Sequence, residues 1–523
     1  MSTPDLEAAP ERPLQILVVM RLPGYLRNCE QVLVGLAQRG HRVEIAVPTY
    51  SAKGATPTLL DDLSRDCPSI THSLLPLLSI RMWDDLVGLS RTLVDYLRYF
   101  DPRYAEATRL RARARKGVPA ILLRLVNACR FDRRPFARRL LNSLLRWPLN
   151  AAPPHADAVD YLRRKRPDLV LFTPLLGNHS DAPDYLKAAL RCGIPAALLV
   201  ASWDNLSNKG LIHHAPHAVI LWNERQKREA IEMHAIPAER ISASGAHLFD
   251  RWFEMRPSTT REQFVRRRGL DPAQPLVLYV CSSGFIAQDE TRFVERWIRA
   301  VRAARGGRFE SVGILVRPHS GNTKPWMQSP LSSMKNVCVW PATGEPPADE
   351  QGRKNYFDSL YHADAVVGIN TSAMIEAGIL KRPVLTVLDE EFRETQLGTI
   401  HFHYMADGGL LHVSRGLEEH AEELGRILFD GLDSQRESRE QFIREFIRPH
   451  GIERPCAPIA VDAIERVVQD RARVPDRGRV LGRLLLWPVA WGVHRIAART
   501  RRRNPKHRVG LASILRHRLE HQA

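Results

Sequence analysis

Short apolar runs alternate with helix-patterned stretches over residues 14–50 and again over 156–450. Strands buried on both faces read as continuous apolar runs, and consecutive parallel strands need a helical crossover between them. The alternation therefore predicts an α/β chain with two facing, doubly wound (Rossmann-like) parallel-sheet domains. The first, 14–255, starts with a strand at 14–20, a helix at 28–39 closed by Gly40, and a strand at 42–47. It resumes with strands at 169–172, 196–200, 218–222 and 240–243, each separated by a helix or loop. The second, 256–450, places strands at 276–281, 312–316, 336–340, 365–369 and 384–388 among its helices. Residues 1–13 read as a disordered start, and 451–523 as a helix followed by a basic tail.

Open α/β sheets bind ligands where loops leave the carboxyl ends of their strands. Residues 364–388 put chemistry at such a place. The strand 365–369 runs into Asn370, Thr371 and Ser372, and a helix follows from 373 to 380 carrying Glu376. Hydroxyls and free backbone N–H groups at a helix start favour an anion. Glu376 lies four residues beyond Ser372 and faces the same end of the helix. A phosphate at the hydroxyls with a ribose diol at the carboxylate suits a nucleotide. An ordinary strand, cap and helix uses the same residues. Two more loops of this domain leave strand ends: Ser282, Ser283 and Gly284, and the segment from Arg317 through His319 to Asn322. In the first domain, Arg21, Gly24, Arg27 and Asn28 occupy the equivalent place, as do Asn178 with His179 and the loop Trp203, Asp204, Asn205 to Lys209.

Two segments break the pattern. Residues 75–155 read as a helical insert, and 81–150 hold sixteen Lys and Arg against six Asp and Glu. Residues 471–523 hold fourteen against two. Together these exceed the formal charge of +18, so the remainder is slightly acidic. That pattern suits an enzyme with basic attachments more than a nucleic-acid binder, and no aromatic–basic platform accompanies the charge. The tail's apolar stretch, 484–493, is too short to span a bilayer, which takes roughly 20 residues. Trp487 and Trp491 flanked by Arg suit a membrane interface, and a helix docked on the protein body is the competing reading.

The seven cysteines are scattered with no C-x-x-C pair, which argues against disulfides and zinc and fits a reducing compartment. The first thirteen residues lack the apolar core of a signal peptide. No G-x-G-x-x-G follows the first strand. His401 and His403 have no zinc-type partner spacing.

The segment order resembles the GT-B glycosyltransferases over roughly 14–50 and 156–450. The carriers are the opening strand, helix, Arg-Gly-His and strand; Gly245 to Asp250, similar to the exit to the interdomain linker; and 364–388, similar to the donor-nucleotide segment. Arg317-Pro318-His319-Ser320 and Asn370-Thr371-Ser372 resemble the paired motifs of bacterial sialyltransferases, Kdo transferases and CDP-glycerol glycerophosphotransferases, although Pro318 precedes His319 here. The resemblance implies glycosyl transfer from a nucleotide-activated sugar to a glycan or lipid-linked acceptor of the cell envelope. The donor site would comprise Ser283, Gly284, Arg317, His319, Asn370, Thr371, Ser372 and Glu376. Arg317 and His319 would neutralise a diphosphate leaving group. The acceptor base would come from the first domain, with Asp204 before His179; a helix cap is the plainer role for Asp204. No D-x-D stands near a strand end, so neither a metal nor a resident cofactor is expected. The expected setting is the cytoplasm, peripherally on the inner face of a membrane with an anionic surface. A CDP-alcohol phosphotransferase, a sugar-nucleotide epimerase of the same fold, and a non-catalytic binder of envelope polymer or membrane stay open.

Overall fold

The computed structural model describes residues 12–48, 58–129, 134–174, 180–344, 349–469 and 479–503, with backbone alone at Thr58, Ser332, Arg479 and 501–503. The chain divides into two compact units. Residues 1–105, 110–248 and 448–523 make the first, and 106–109 with 249–447 the second.

The first unit is built on seven parallel strands: β1 Gln15–Met20, β2 Arg42–Val47, β3 Ile70–Leu74, β4 Leu169–Thr173, β5 Ala196–Leu199, β6 Ala218–Leu221 and β7 Ile241–Ala243. Their order is β3-β2-β1-β4-β5-β6-β7, so the winding reverses between β1 and β4. At that point Met20 pairs with Thr173. The core of one face takes Val18, Val32, Leu33 and Ile45 from the start of the chain, and Ala460, Val461 and Ile464 from the helix Cys456–Gln469 near its end. This helix, expected as part of the tail, belongs to the first unit's core. Polar groups fix it there. The Arg39 guanidinium donates to Asp462 and Glu465, each at 2.6 Å, and His41 meets Glu465 at 2.8 Å. Gly40 between them has φ +87°, which L side chains rarely adopt, so Arg-Gly-His is a helix stop with two anchoring side chains.

The helix Met82–Leu97 opens the insert and buries Trp83, Leu86, Leu93, Val94 and Leu97. The helices Thr108–Arg115, Ala120–Ala128 and Pro135–Ala151 follow. The insert also reaches the sheet. Arg98 donates to the Ser207 carbonyl at 3.0 Å, Arg113 to that of Asn208 at 2.6 Å, and Asp95 accepts the Leu211 N–H at 2.9 Å. It thereby buttresses the loop after β5 that carries Asp204.

The second unit has six parallel strands: β8 Leu276–Val280, β9 Gly313–Arg317, β10 Val337–Val339, β11 Ala365–Gly368, β12 Val384–Val387 and β13 His412–Ser414. Their order is β10-β9-β8-β11-β12-β13, with the reversal between β8 and β11. Gly368 lies at that reversal. A Cβ there would stand 3.0 Å from Val280 Cγ2 and 3.1 Å from the Val280 carbonyl. Gly368→Ala is therefore expected to lower stability by about 1–3 kcal/mol through overpacking. A denaturant melt of the variant against the parent measures it, and an unchanged midpoint would show that the strands accommodate the methyl group.

Candidate functional site

The switch point of the second unit brings the sequence-expected donor loops together. Val280 pairs with Arg317 on one side and with Gly368 on the other, so β8, β9 and β11 end in one row. The loops that leave them are adjacent by construction. Two are tied directly, since Asn322 Nδ2 donates to the Ala287 carbonyl at 2.9 Å. The Ser283 carbonyl accepts from Ile286 and Ala287, making the first loop a tight turn. Glu290 holds that turn from beneath by accepting the Ser282 N–H at 2.7 Å. Burial pushes the Glu290 carboxyl up to about 7 against that hydrogen bond.

Arg317 is the centre of the arrangement. Its side chain is buried, and Nη1 donates to Ser359 Oγ at 3.1 Å. The guanidinium lies over the rings of Tyr356, at 4.9 Å, and Trp340, at 5.2 Å. Among the described residues no carboxylate comes within ion-pair distance of it. Burial pushes its pKa down to about 10, with Tyr356 and Glu376 opposing and Arg268 assisting, so it stays charged at neutral pH. The Tyr356 hydroxyl donates to Glu376 through a short hydrogen bond. Arg317, Tyr356 and Glu376 thus connect the ends of β9 and β11 through the helix Glu350–Tyr361.

The other sequence-expected residues fall as follows. Ser283 and Gly284 are partly exposed in the β8 loop, and a Cβ on Gly284 would lie 3.7 Å from the Asn322 amide. His319 is half-buried, and its Nδ1 accepts the Gly321 N–H at 3.0 Å, which places the ring proton on Nε2. Thr371 is half-buried and Ser372 exposed, directly before the helix Ala373–Ile379. Asn370 turns inward: its amide donates to the Thr395 carbonyl at 2.6 Å and fastens the segment after β12. Tyr356 and Glu290 went unread in the sequence. Each stands on a helix with no motif around it, and only the fold brings it to the strand ends.

In the first unit Asp204 follows β5. Its Oδ1 accepts from Ser202 at 2.8 Å and from Asn205 at 3.3 Å, and Oδ2 pairs with Lys209 at 3.1 Å. It occupies the cap position of the turn Asn205–Asn208, but its side chain makes no capping bond. The polar loop is organised around this carboxylate. His179 and Asn178 lie outside the described residues. An open concavity lined by Thr260, Arg261, His362, Asp364 and Arg382 lies instead by the amino ends of β8 and β11, where Asp364 accepts the Leu276 N–H.

No protein-family profile matches the chain, and no curated protein matches it. Solved structures do. One is a Listeria monocytogenes protein provisionally assigned as a UDP-N-acetylglucosamine 2-epimerase: TM-score 0.50, 11% identity, covering 88% of this chain and 98% of that one. The UDP-GlcNAc 2-epimerase from Neisseria meningitidis bound to UDP-GlcNAc gives TM-score 0.48 and 13% identity, with 86% and 99% covered. A glycosyltransferase from Rickettsia africae gives 0.47 and 12%, with 88% and 100% covered. Two doubly wound parallel-sheet units with this likeness make the fold GT-B.

Proposed function

We propose that the chain binds a nucleotide-activated sugar at the carboxyl ends of β8, β9 and β11 and transfers the glycosyl group to an acceptor hydroxyl. The observation that carries this reading is Arg317: a buried cation with no carboxylate partner among the described residues, at a topological switch point. A bound diphosphate would supply the missing anion, and the guanidinium would offset the charge that gathers on it as the glycosidic bond breaks. Thr371, Ser372 and the Ser283–Gly284 turn would donate to phosphate oxygens. Glu376, oriented by Tyr356, would accept from the ribose hydroxyls. Asp204 is the proposed base, taking the acceptor's proton as its oxygen forms the new bond. The reading includes a glycan or lipid-linked acceptor, turnover without a metal, and a cytoplasmic setting.

Epimerisation is the second reading, because the Listeria likeness involves a protein assigned to that chemistry. It needs an acid and a base on the sugar and no acceptor.

The test is thermal stabilisation by UDP, GDP, CDP, CMP and dTDP, with and without magnesium. Selective stabilisation by one nucleotide, abolished in Thr371→Ala/Ser372→Ala, is expected; no shift with any would overturn the donor site. Turnover of the matching sugar nucleotide in deuterated water then separates the two chemistries. Epimerisation at a carbon bearing hydrogen incorporates deuterium into the sugar, whereas transfer does not. Asp204→Asn is expected to lower transfer at least 100-fold, the contribution of a general base.

A further inference from the structure

The two basic segments, far apart in sequence, meet in the fold. The helix Arg479–Arg503 lies against the insert, burying Leu486 and Ala490 among Trp83, Leu86, Val87 and Leu149. Its approach is close. A Cβ on Gly482 would stand 3.1 Å from Trp147 Nε1 and 3.2 Å from Ala151 Cβ. Arg483 Nε donates to the Ala151 carbonyl at 2.9 Å, and His494 meets Asp85 at 2.7 Å. The tail helix is therefore docked on the protein through one face.

Among the described residues, large apolar side chains stay exposed beside this seam. Leu481, Leu484, Leu485 and Trp487 stand exposed on the tail helix, Leu484 at 68%. On Pro135–Ala151, Phe136, Leu140, Leu144 and Trp147 form an exposed stripe at helical spacing, Phe136 at 79%. The stripe ends at Trp147, which touches the tail helix at Gly482, so the two surfaces join there. Ile121 and Leu125 extend it onto Ala120–Ala128. The four helices Thr108–Arg115, Ala120–Ala128, Pro135–Ala151 and Arg479–Arg503 contain no Asp or Glu. Exposed Arg115, Lys116, Arg124, Arg139, Arg495 and Arg499 accompany the apolar side chains, and Arg495 lies over Trp491 at 4.7 Å. Among the described residues no helix is long and apolar enough to cross a membrane.

We infer that the insert and the tail helix form one composite surface that docks on an anionic phospholipid bilayer, with the leucines and aromatics entering the interface and the arginines meeting lipid phosphates. A symmetric pairing of two copies would press the same cationic rims together, and nucleic acid would leave the leucines in water, so the charge and the apolar stripe together select lipid. The inference stands apart from the nucleotide reading.

Co-sedimentation of the full chain with vesicles tests it. Binding is expected to phosphatidylcholine vesicles containing phosphatidylglycerol, weakening as salt is raised, and not to phosphatidylcholine alone. Leu140→Glu/Leu144→Glu on the insert and Leu481→Glu/Leu484→Glu on the tail are each expected to weaken binding more than tenfold while preserving the circular dichroism spectrum. All four positions are exposed, so folding is not at stake. The inference is overturned if the parent chain ignores anionic vesicles, if both double variants bind as it does, or if the variants dissociate a dimer while the parent binds no vesicle.

Discussion

Arg317→Met is expected to make the unbound protein more stable and to remove nucleotide binding. The two effects share a cause. A guanidinium whose pKa burial has pushed down to about 10 is held charged at a cost of about 3 kcal/mol relative to water. One hydrogen bond to Ser359 and the rings of Tyr356 and Trp340 offset only part of it. Methionine fills much of the volume without a charge, and such replacements stabilise by about 1–4 kcal/mol in comparable cases. After loss of the stacking, a gain near the low end is expected, a few degrees in Tm. Removing a buried charge from a bound anion costs about 2–5 kcal/mol, roughly thirtyfold or more in Kd. Thermal melts with and without the nucleotide read both quantities. A variant that melts lower and still binds would make Arg317 a structural residue.

Asp433→Ala should have the largest effect on the second unit's stability. Its carboxylate takes both ends of the Arg439 guanidinium and the Nε2 proton of His412 at 2.8 Å. His412, on the edge strand β13, also meets Glu423 at 2.9 Å. Arg439 is almost wholly buried, so the substitution strands a buried cation, for about 2–4 kcal/mol after allowing for the partial exposure of Asp433. Burial opposes ionisation of Asp433, but the hydrogen bonds from His412 and Arg439 outweigh it and hold the carboxyl well below the usual range. A depressed folded pKa contributes stability that is whole above the unfolded value of about 4 and declines as pH falls below it. The parent should thus lose stability on acidification through that range, and Asp433→Ala should lose less. Urea melts at neutral pH and at acidic pH measure the difference; equal losses would remove Asp433 from the acid response.

The fold was legible where burial forces a simple alphabet. Strands such as β1, β4, β8 and β11 lie inside their sheets, so both faces read as apolar runs. Of the four edge strands, β7 and β10 were legible, but β3 and β13 were not. β3 reads Ile-Thr-His-Ser-Leu and β13 His-Val-Ser, since an edge with less cover admits polar residues. The loops at the strand ends were found because strand-to-helix alternation marks them without knowledge of contacts. Partnerships across the sheet were not. Nothing local to Tyr356 announces Glu376 twenty positions later, and the inward turn of Asn370 depends on where Thr395 stands. The charge of the insert and tail was plain in composition, but their union rests on Gly482 and Trp147, two residues with no signature.

The helix Cys456–Gln469 closes the core that β1 opens. A chain leaving the ribosome from its first residue can complete the second unit before the first, because 249–447 is continuous apart from 106–109, while the first waits for residues beyond 448. Until then Val32, Leu33 and the inner face of β2 lack Ala460, Val461 and Ile464, and His41 lacks Glu465. Contacts of such sequence separation carry a large loop-closure cost, so this step is expected to be the slower one and the more exposed to aggregation. Premature termination before Cys456 would therefore spare the later-synthesised unit and cripple the earlier one.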